Sequence, residues 1–329
     1  MKKRVTLLLC TVLSMSIFNG CTSGSNASSG NKTNYPTKAV QITVGWGAGG
    51  GTDVFARAIA QPASEIMGKP VTVVNMAGAS GALAGDSVAK GAADGYTIWA
   101  EGSNYSINVA MKKTPHELKE YIPIARIQHD TVSLQVNKDS KFKTFDELLE
   151  FAKANPGKVT IGGTGSAGFD QVVVAKLQKA AGVEFKYVPF EDAGAMRSSM
   201  LGGHIDAQME ELGPVAKLIE DGTIRPLLAF TDAKIARFPD IPISVDKGIN
   251  VLDGIWRGLF VKAGTPKEIV DYLRETFKKA KDSESYKTIE KNNMLDLRPG
   301  YLDSEDFTKF VEKDISEYEA VLKELGYIK

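Results

Sequence analysis

The sequence predicts an α/β protein of two domains, each with a mostly parallel sheet flanked by helices. Short apolar strands and helices alternate from Val40 onward, and this alternation is typical of parallel sheets with helical cover. A unit of strand, glycine-rich loop and helix occurs twice, once after Val44 and once after Ile161. The chain has 329 residues, and the roughly 295 that follow a polar N-terminal stretch are enough for two domains.

In the first part of the chain, short runs rich in β-branched residues predict strands at 40–44, 71–74 and 96–100. A helix is predicted over 53–67 between the first two strands. Pro62 lies inside this helix, where its ring and its missing N–H favour a kink. These elements form the strand–helix–strand unit that is typical of a parallel sheet.

Helix starts farther along carry their own signals. Thr144 and Glu147 have the spacing of a capping box, in which each side chain bonds the other residue's backbone N–H. Thr265 and Glu268 have the same spacing, with Pro266 predicted at the first helical position. Terminal glycines and apolar periodicity predict further helices at 169–181, at 214–221 and at the C-terminus.

The N-terminal residues have the pattern of an export signal. Three basic residues at 2–4 precede a mostly apolar run at 5–18 that is too short to span a bilayer comfortably. The run ends in a small residue followed by Cys21, as in a lipoprotein signal. We therefore predict a signal peptide over 1–20, lipidation of Cys21 and a flexible tether over 21–34, whose polar composition cannot form a core. The alternative is an ordinary secretory signal with an incidental cysteine.

Cysteine content and charge limit the class of protein. Cys10 lies in the predicted signal and Cys21 is the only other cysteine, so the remaining chain has no internal disulfide and depends on its apolar core. Residues 1–20 carry three basic and no acidic residues, which leaves 37 basic and 40 acidic residues in the rest. With this balance and no basic stripe, we expect no nucleic-acid partner.

Two glycine loops are the strongest functional signal. The first spans 45–53 between a strand and a helix, and the second spans 162–168 in the same setting. Glycine lets the backbone approach a ligand closely, and the following helix offers free N–H groups and its positive dipole end to an anion. Facing each other across a cleft, the loops would grip both ends of a dicarboxylate, with hydroxyl donors from Thr52, Thr164 and Ser166. The alternative is that both loops are merely tight turns.

Nucleotide and enzyme sites fit the sequence less well. Gly45, Gly47 and Gly50 match a dinucleotide fingerprint, but Asn75 stands where an acidic residue should bind ribose. No lysine follows the glycines, which excludes a phosphate-binding P-loop. The three histidines lack metal-ligand spacing, and Thr164 breaks the nucleophile-elbow motif. We therefore predict no cofactor, no metal and no enzymatic activity, with an exported α/β hydrolase-like enzyme as the main rival.

Further motifs occur in the order and at the spacing of a known family. They are Tyr35-Pro36, the loop Gly49 to Asp53, Asn75 with Gly78-Ala79-Ser80-Gly81, Ala93 to Thr97, Ala154 to Lys158, Val188-Pro189-Phe190, Leu201 to Asp206, and Gly264-Thr265-Pro266. With these motifs the sequence resembles the substrate-binding proteins of tripartite tricarboxylate transporters, also called the Bug receptor family. The resemblance covers the chain from about Tyr35 to its end.

The resemblance implies a type II periplasmic-binding-protein fold, in which two domains close over a ligand. On this basis we expect domain 1 over 35–131 and 254–329 and domain 2 over 132–253, with an apolar strand at 256–261 returning the chain to domain 1. The implied function is capture of a small organic carboxylate, a di- or tricarboxylate or a related acid, and delivery to a two-subunit membrane permease. We expect a monomer on the outer face of the cytoplasmic membrane, held by its lipid anchor, or in the periplasm.

The resemblance also implies the site residues. Backbone amides of Gly50, Gly51, Thr52 and Asp53 are expected to hold one carboxylate. The second loop is expected to hold the other end with Thr164, Gly165 and Ser166. The remaining candidate ligand contacts are Trp46, Gly49, Ser80, Ser103, Asn104, Asp192 and Asp206.

Two departures from the family pattern affect the expected ligand. Glu191 and Asp192 stand where the family usually has Lys-Gly, and in a cleft they would repel a carboxylate unless a cation or a ligand amino group lay beside them. The alternative for this pair is a solvated turn. Glu210 and Glu211 are either a pair of carboxylates in the cleft or part of a solvated loop, and we favour the loop. Ala167 replaces a usual glycine.

A ligand-sensing surface lipoprotein without a transport partner remains a further interpretation.

Overall fold

Ten strands form two five-stranded sheets within residues 34–329, the part of the chain that the computed structural model describes. The first sheet has the order β2-β1-β3-β10-β4 and the second has the order β7-β6-β8-β5-β9. The strands are β1 (Val40–Val44), β2 (Val71–Asn75), β3 (Thr97–Gly102), β4 (Tyr121–His129), β5 (Val132–Asn137), β6 (Thr160–Thr164), β7 (Lys186–Phe190), β8 (Ala207–Glu211), β9 (Ile224–Ala229) and β10 (Trp256–Lys262).

Helices cover both sheets. They are α1 (Gly51–Met67), α2 (Ala82–Lys90), α3 (Ser103–Ala110), α4 (Phe145–Ala154), α5 (Phe169–Ala181), α6 (Ala193–Leu201), α7 (Leu212–Glu220), α8 (Lys267–Lys281), α9 (Glu284–Asn292) and α10 (Ser304–Glu324). We call the first sheet with the helices that pack on it the first lobe, and the second sheet with its helices the second lobe. None of the helices in residues 34–329 has the length and apolar character needed to cross a bilayer.

Both sheets are mixed. In the first, β1 pairs in parallel with β2 and β3, whereas β10 runs antiparallel to β3 and β4. In the second, β6 pairs in parallel with β7 and β8, whereas β5 runs antiparallel to β8 and β9. The antiparallel ladders arise where the chain crosses between the sheets, after β4 and before β10. The predicted return strand at 256–261 is therefore confirmed as β10.

The C-terminal helix α10 bridges the two lobes. Phe307 and Val311 near its start pack with Trp256 of the first sheet. Tyr318 and Leu322 near its end pack in the apolar core of the second lobe. Burial of this one amphipathic helix therefore stabilises both lobes.

Local sequence signals predicted most helices and strands correctly, but the predicted start of one helix was wrong. Thr144 caps α4, because its hydroxyl accepts the Glu147 N–H at 3.2 Å. The predicted capping box at Thr265 does not form, since this hydroxyl donates to the Lys262 carbonyl at 2.8 Å. Pro266 is consequently the N-cap of α8, and the helix begins at Lys267. The predicted signal peptide, Cys21 and all of the tether but Asn34 lie outside the described residues.

Candidate ligand-binding cleft

A narrow cleft with a cavity volume of about 40 Å³ lies where strands of both sheets end. The first lobe contributes the loop after β1, the end of β3 and the start of α3. The second lobe contributes the ends of β6 and β8 and the start of α6. The cleft is lined by Trp46, Gly47, Gly50, Gly51, Thr52, Glu101, Gly102, Asn104, Thr164, Asp170, Asp192, Ala193, Met196, Met209, Glu210, Glu211, Ile255 and Arg257. Ligands of α/β proteins bind beyond the carboxyl ends of parallel strands, as here.

The two glycine loops face each other at short range. A Cβ atom built on Gly47 would lie 3.1 Å from the Asp192 Cβ atom of the other lobe. A Cβ atom on Gly165 of the second loop would lie 2.9 Å from the Ser80 hydroxyl oxygen and 3.8 Å from the ring of Trp46 in the first loop. At these two positions the lobes can approach this closely because glycine has no side chain.

Hydrogen bonds also join the lobes at the cleft. The Phe169 N–H at the start of α5 donates to Asn104 Oδ1 at the start of α3, over 2.9 Å. The Lys113 ammonium donates to the Ser166 carbonyl over 2.8 Å. The described conformation is therefore a closed one, in which both loops reach the same space.

The start of α1 has no side-chain cap. Gly50 is its N-cap residue. Within residues 34–329, the N–H groups of Gly51, Thr52 and Asp53 have no hydrogen-bond acceptor. Because Gly51 and Thr52 line the cleft, a helix 17 residues long directs free N–H groups and the positive end of its dipole at that space.

The side chain of Asp53 stabilises the conformation of this loop. Its carboxylate accepts the Gly49 N–H at 2.9 Å and is paired with Arg57. Asn75 donates to the same carboxylate at 2.9 Å and to the Trp46 carbonyl at 2.9 Å. The hydrogen bonds to Arg57 and the Gly49 N–H lower the pKa of Asp53 in spite of its burial. The side chain of Asp53 thus fixes the loop conformation and does not line the cleft.

Two amides of the second loop are already bonded to other residues of the second lobe. The N–H and the hydroxyl of Thr164 both donate to Asp170 Oδ2, at 2.7 and 2.8 Å. The Gly165 N–H donates to the Phe190 carbonyl at 2.8 Å. This loop is consequently a weaker amide cradle than the start of α1.

A buried ion cluster lies at the base of the cleft. Arg257 is 3% exposed, and its guanidinium bonds Asp130, Glu211 and, at 3.1 Å, the Thr52 hydroxyl. Arg257 and Thr52 belong to the first lobe, Glu211 ends a strand of the second, and Asp130 follows β4 at the crossover. The guanidinium rests directly against Gly51, where a side chain would collide with it. Burial raises the pKa of Asp130 to about 6, although Arg257 opposes the shift.

Three further carboxyl groups in the cleft are almost fully buried. Burial raises the pKa of Glu101, Asp170 and Glu210 to about 7. Glu101 accepts the Trp46 indole N–H at 3.1 Å and the Gly102 N–H at 2.9 Å. Glu210 is paired with Arg197. Near neutral pH these groups are poised between the protonated and the ionised form.

The structure brings some predicted site residues together and separates others. Residues that line the cleft are Trp46, Gly50, Gly51, Thr52, Asn104, Thr164 and Asp192. A neighbouring pocket at the mouth is lined by Trp46, Ser80, Gly165, Ser166 and Glu191, among others. Predicted residues that line neither are Gly49, Asp53, Ser103 and Asp206.

Asp206 and Ser103 do not lie where the sequence-based expectation put them, and the interpretation of Glu210 and Glu211 as a solvated loop is wrong. Asp206 accepts the Thr160 N–H at 2.9 Å, at the end of β6 opposite to the cleft. Ser103 is buried and its hydroxyl accepts the Trp256 N–H at 3.2 Å. Glu210 and Glu211 are not in a solvated loop, because they end β8 and are 2% and 7% exposed.

The sequence reasoning missed the charged groups of the cleft. Arg257 and Glu101 each stand alone in a mostly apolar strand, which is a signal of a buried charge with a specific partner. Asp170 follows the second glycine loop and carried no such signal. Within residues 34–329, no group of three or more His, Cys, Asp or Glu side chains is arranged to hold a metal ion.

Comparison with known proteins gives the family. A model described as tripartite tricarboxylate transporter family receptor matches residues 55–327. The UPF0065 protein in gbd 5'region of Cupriavidus necator is 31% identical over 296 residues, which cover 90% of each chain. Protein BugT of Bordetella pertussis is 26% identical over 297 residues, which cover 89% of this chain and 90% of BugT.

Solved structures give the same result for the fold. The structure described as R. palustris Rpa4515 with adipate has a TM-score of 0.83 and 26% identity, and the match covers 89% of this chain and 99% of that one. A structure described as a periplasmic transporter has a TM-score of 0.82 and 26% identity, over 88% and 97% of the two chains. These likenesses confirm the predicted periplasmic-binding-protein fold. The family match over most of the chain and the 31% identical relative together show that this protein belongs to the receptor family of tripartite tricarboxylate transporters.

Proposed function

We propose that this receptor captures a small organic carboxylate in the cleft and delivers it to a two-subunit membrane permease. The observation that carries the proposal is the uncapped start of α1, whose free N–H groups at Gly51 and Thr52 lie on the wall of the cleft. A carboxylate placed there would accept these hydrogen bonds and interact favourably with the helix dipole. The sequence predicts a di- or tricarboxylate ligand, and the start of α1 accounts for the binding of one of its carboxylate groups.

Family membership supports a binding function. Receptors of this family bind solutes, and one related structure is described as R. palustris Rpa4515 with adipate, itself a carboxylate. We infer that this chain is likewise a binding protein and not an enzyme, acting as an exported lipoprotein anchored through Cys21. Its partners would be the ligand, the permease and the membrane.

Closure of the lobes is the proposed binding step. Contacts such as Asn104 with Phe169 and Arg257 with Glu211 cross between the lobes. A ligand that touches both sides of the cleft stabilises the conformation in which the sides are close. We propose that the closed, ligand-loaded form is the one that docks on the permease, and that the lobes correspond to domain 1 (35–131 and 254–329) and domain 2 (132–253).

A thermal-shift screen tests the proposal, because a ligand that binds only the folded state raises the melting temperature. The purified protein is screened against small carboxylates and amino acids. A Gly47→Leu variant is then tested with any compound that binds. A Cβ on Gly47 has only Asp192 of the other lobe within 4 Å, so leucine should block closure without disturbing either lobe.

The expected result is loss of the ligand-induced shift in Gly47→Leu, measured against the melting temperature of the same variant in the absence of ligand. Gly91→Leu is the matched control, since Gly91 follows α2 and its added Cβ would meet only backbone oxygens of that helix. A screen in which no carboxylate-bearing compound raises the melting temperature would refute the proposed ligand class. An undiminished shift in Gly47→Leu would refute binding by closure.

A further inference from the structure

The cleft is lined by far more negative than positive side chains. Five lining residues are carboxylic acids, namely Glu101, Asp170, Asp192, Glu210 and Glu211. One lining residue, Arg257, is basic. A second carboxylate on the ligand, away from the start of α1, would therefore lie among groups that repel it.

The two arginines beside the lining carboxylates are already paired, and Lys113, which lines the neighbouring pocket, donates to the carbonyls of Ser166 and Ala167. Arg257 is bonded to both Asp130 and Glu211. Arg197 is bonded to Glu210. Removing either arginine from its partners to meet a ligand anion would leave buried carboxylates without a counter-charge, at a large cost in free energy.

Three of the five lining carboxyl groups have no cationic partner within residues 34–329. Glu101 and Asp170 accept only neutral donors, which are the Trp46 indole and the Gly102 N–H for the first and the Thr164 N–H and hydroxyl for the second. Asp192 accepts the Ala195 N–H at the start of α6. These groups retain the capacity to bind a positive charge.

Glu101 points to a missing partner more directly. It is 1% exposed, and its Oε2 atom has no hydrogen-bond partner among residues 34–329. Two glycines pack closely against this oxygen, since a Cβ on Gly81 would lie 2.5 Å from it and one on Gly45 would lie 3.0 Å from it, and neither glycine has a side chain that could donate to it. A buried carboxylate oxygen without a donor is unfavourable, and a ligand N–H group would satisfy it.

We propose that the ligand of this receptor carries a basic nitrogen together with a single carboxylate, so that it is an amino acid without net negative charge. The inference rests on the proposed function, in which the start of α1 holds the carboxylate. The nitrogen lies on the acidic side of the cleft, between Glu101 of the first lobe and Asp170 of the second. Such a ligand differs from adipate, which the related R. palustris structure contains.

Because of the buried carboxyl groups, the two kinds of ligand should differ in whether protons are released or taken up on binding. Because the pKa values of Glu101, Asp170 and Glu210 are raised to about 7, these groups are partly protonated at neutral pH. A bound ammonium stabilises their ionised form, so an amino acid should release protons on binding. A bound dicarboxylate would instead raise the same pKa values and take protons up.

Isothermal titration calorimetry of the unmodified protein tests the inference with six-carbon ligands that differ in charge. Adipate carries two carboxylates, hexanoate carries one, and 6-aminohexanoate and 2-aminohexanoate carry one carboxylate and one ammonium. At least one of the amino acids should bind tenfold or more tightly than adipate and hexanoate. Titrations at pH 7 in two buffers of different ionisation enthalpy should show proton release.

Two of the outcomes separate the inference from the proposed function. Tighter binding of adipate, or proton uptake with the amino acids, overturns the basic nitrogen and leaves a carboxylate receptor. Hexylamine, which has the ammonium but no carboxylate, is titrated in the same way. Equal affinities for hexylamine and 6-aminohexanoate overturn the carboxylate site at α1 and leave the basic nitrogen. No binding by any of these compounds counts against both.

A charge-neutral variant locates the nitrogen. Glu101→Gln keeps the shape of the side chain, and it should weaken the tightest amino acid tenfold or more while changing the affinity for hexanoate less than threefold. Glu65→Gln is the control, because Glu65 lies exposed on α1. Equal affinities of Glu101→Gln and the unmodified protein for the amino acid would remove Glu101 from the site.

Discussion

Replacement of Arg257 by methionine should destabilise the protein strongly. The side chain is 3% exposed and is paired with two carboxylates that are themselves buried. Methionine fills a similar volume but leaves Asp130 and Glu211 without a counter-charge. Breaking a buried ion pair on one side costs about 3–5 kcal/mol. For a chain of this size, that loss lowers the melting temperature by roughly 10 °C.

The assay is urea unfolding of the unmodified protein and the variant at pH 8 and pH 5. The pKa of Asp130 is about 6 with Arg257 present, and it rises further when the guanidinium is removed. At pH 5 the variant can protonate Asp130, so its deficit in unfolding free energy should be smaller than at pH 8. The combined variant Arg257→Met, Asp130→Asn, Glu211→Gln should recover most of the loss, because it leaves no unpaired charge.

Arg126→Met is the matched control. Arg126 is also buried, but its guanidinium donates to the carbonyls of Pro299 and Gly300 rather than to a carboxylate. Its loss should therefore depend little on pH between 5 and 8. A deficit below about 1 kcal/mol for Arg257→Met at pH 8, or an equal deficit at both pH values, would refute the electrostatic account of the cluster.

Two further predictions concern stability. Ala167 has a φ of 47°, and this left-handed conformation costs a residue with a Cβ about 1 kcal/mol. Ala167→Gly should therefore raise the melting temperature by roughly 2–4 °C in differential scanning calorimetry. An unchanged or lower melting temperature would contradict this strain. Burial shifts the pKa of Glu101 from 4.5 to about 7, which corresponds to roughly 3 kcal/mol of destabilisation once the group is ionised. Because the folded-state pKa is raised, the stability associated with protonated Glu101 is complete below pH 4.5 and is lost as the pH rises to about 7. Glu101→Gln should therefore stabilise the protein at pH 8 and much less at pH 5, as measured by urea unfolding, and equal effects at both pH values would contradict the shift.

Local patterns in the sequence predicted the scaffold of the cleft. The first strand, Val40–Val44, matches its predicted bounds, and α1 starts at Gly51, two residues before its predicted start. These features are short-range, since β-branched runs and glycines act on their immediate neighbours. The fold and the two facing loops followed from them together with the family resemblance.

The electrostatic content of the cleft could not be predicted in the same way. Arg257 is 127 residues from Asp130 and 46 residues from Glu211 in the chain, so no local spacing relates them. Glu210 and Glu211 form an acidic pair followed by Leu-Gly-Pro, which is typical of a solvated turn. They are buried because β8 pairs with the crossover strand β5, a long-range arrangement that the sequence pattern does not encode.

A crystal structure of the protein with its tightest ligand tests the central claim most directly. The account predicts a carboxylate within hydrogen-bonding distance of the Gly51 and Thr52 N–H groups, between lobes that remain closed. A ligand bound outside the cleft, or one whose carboxylate contacts neither of these amides, would contradict it.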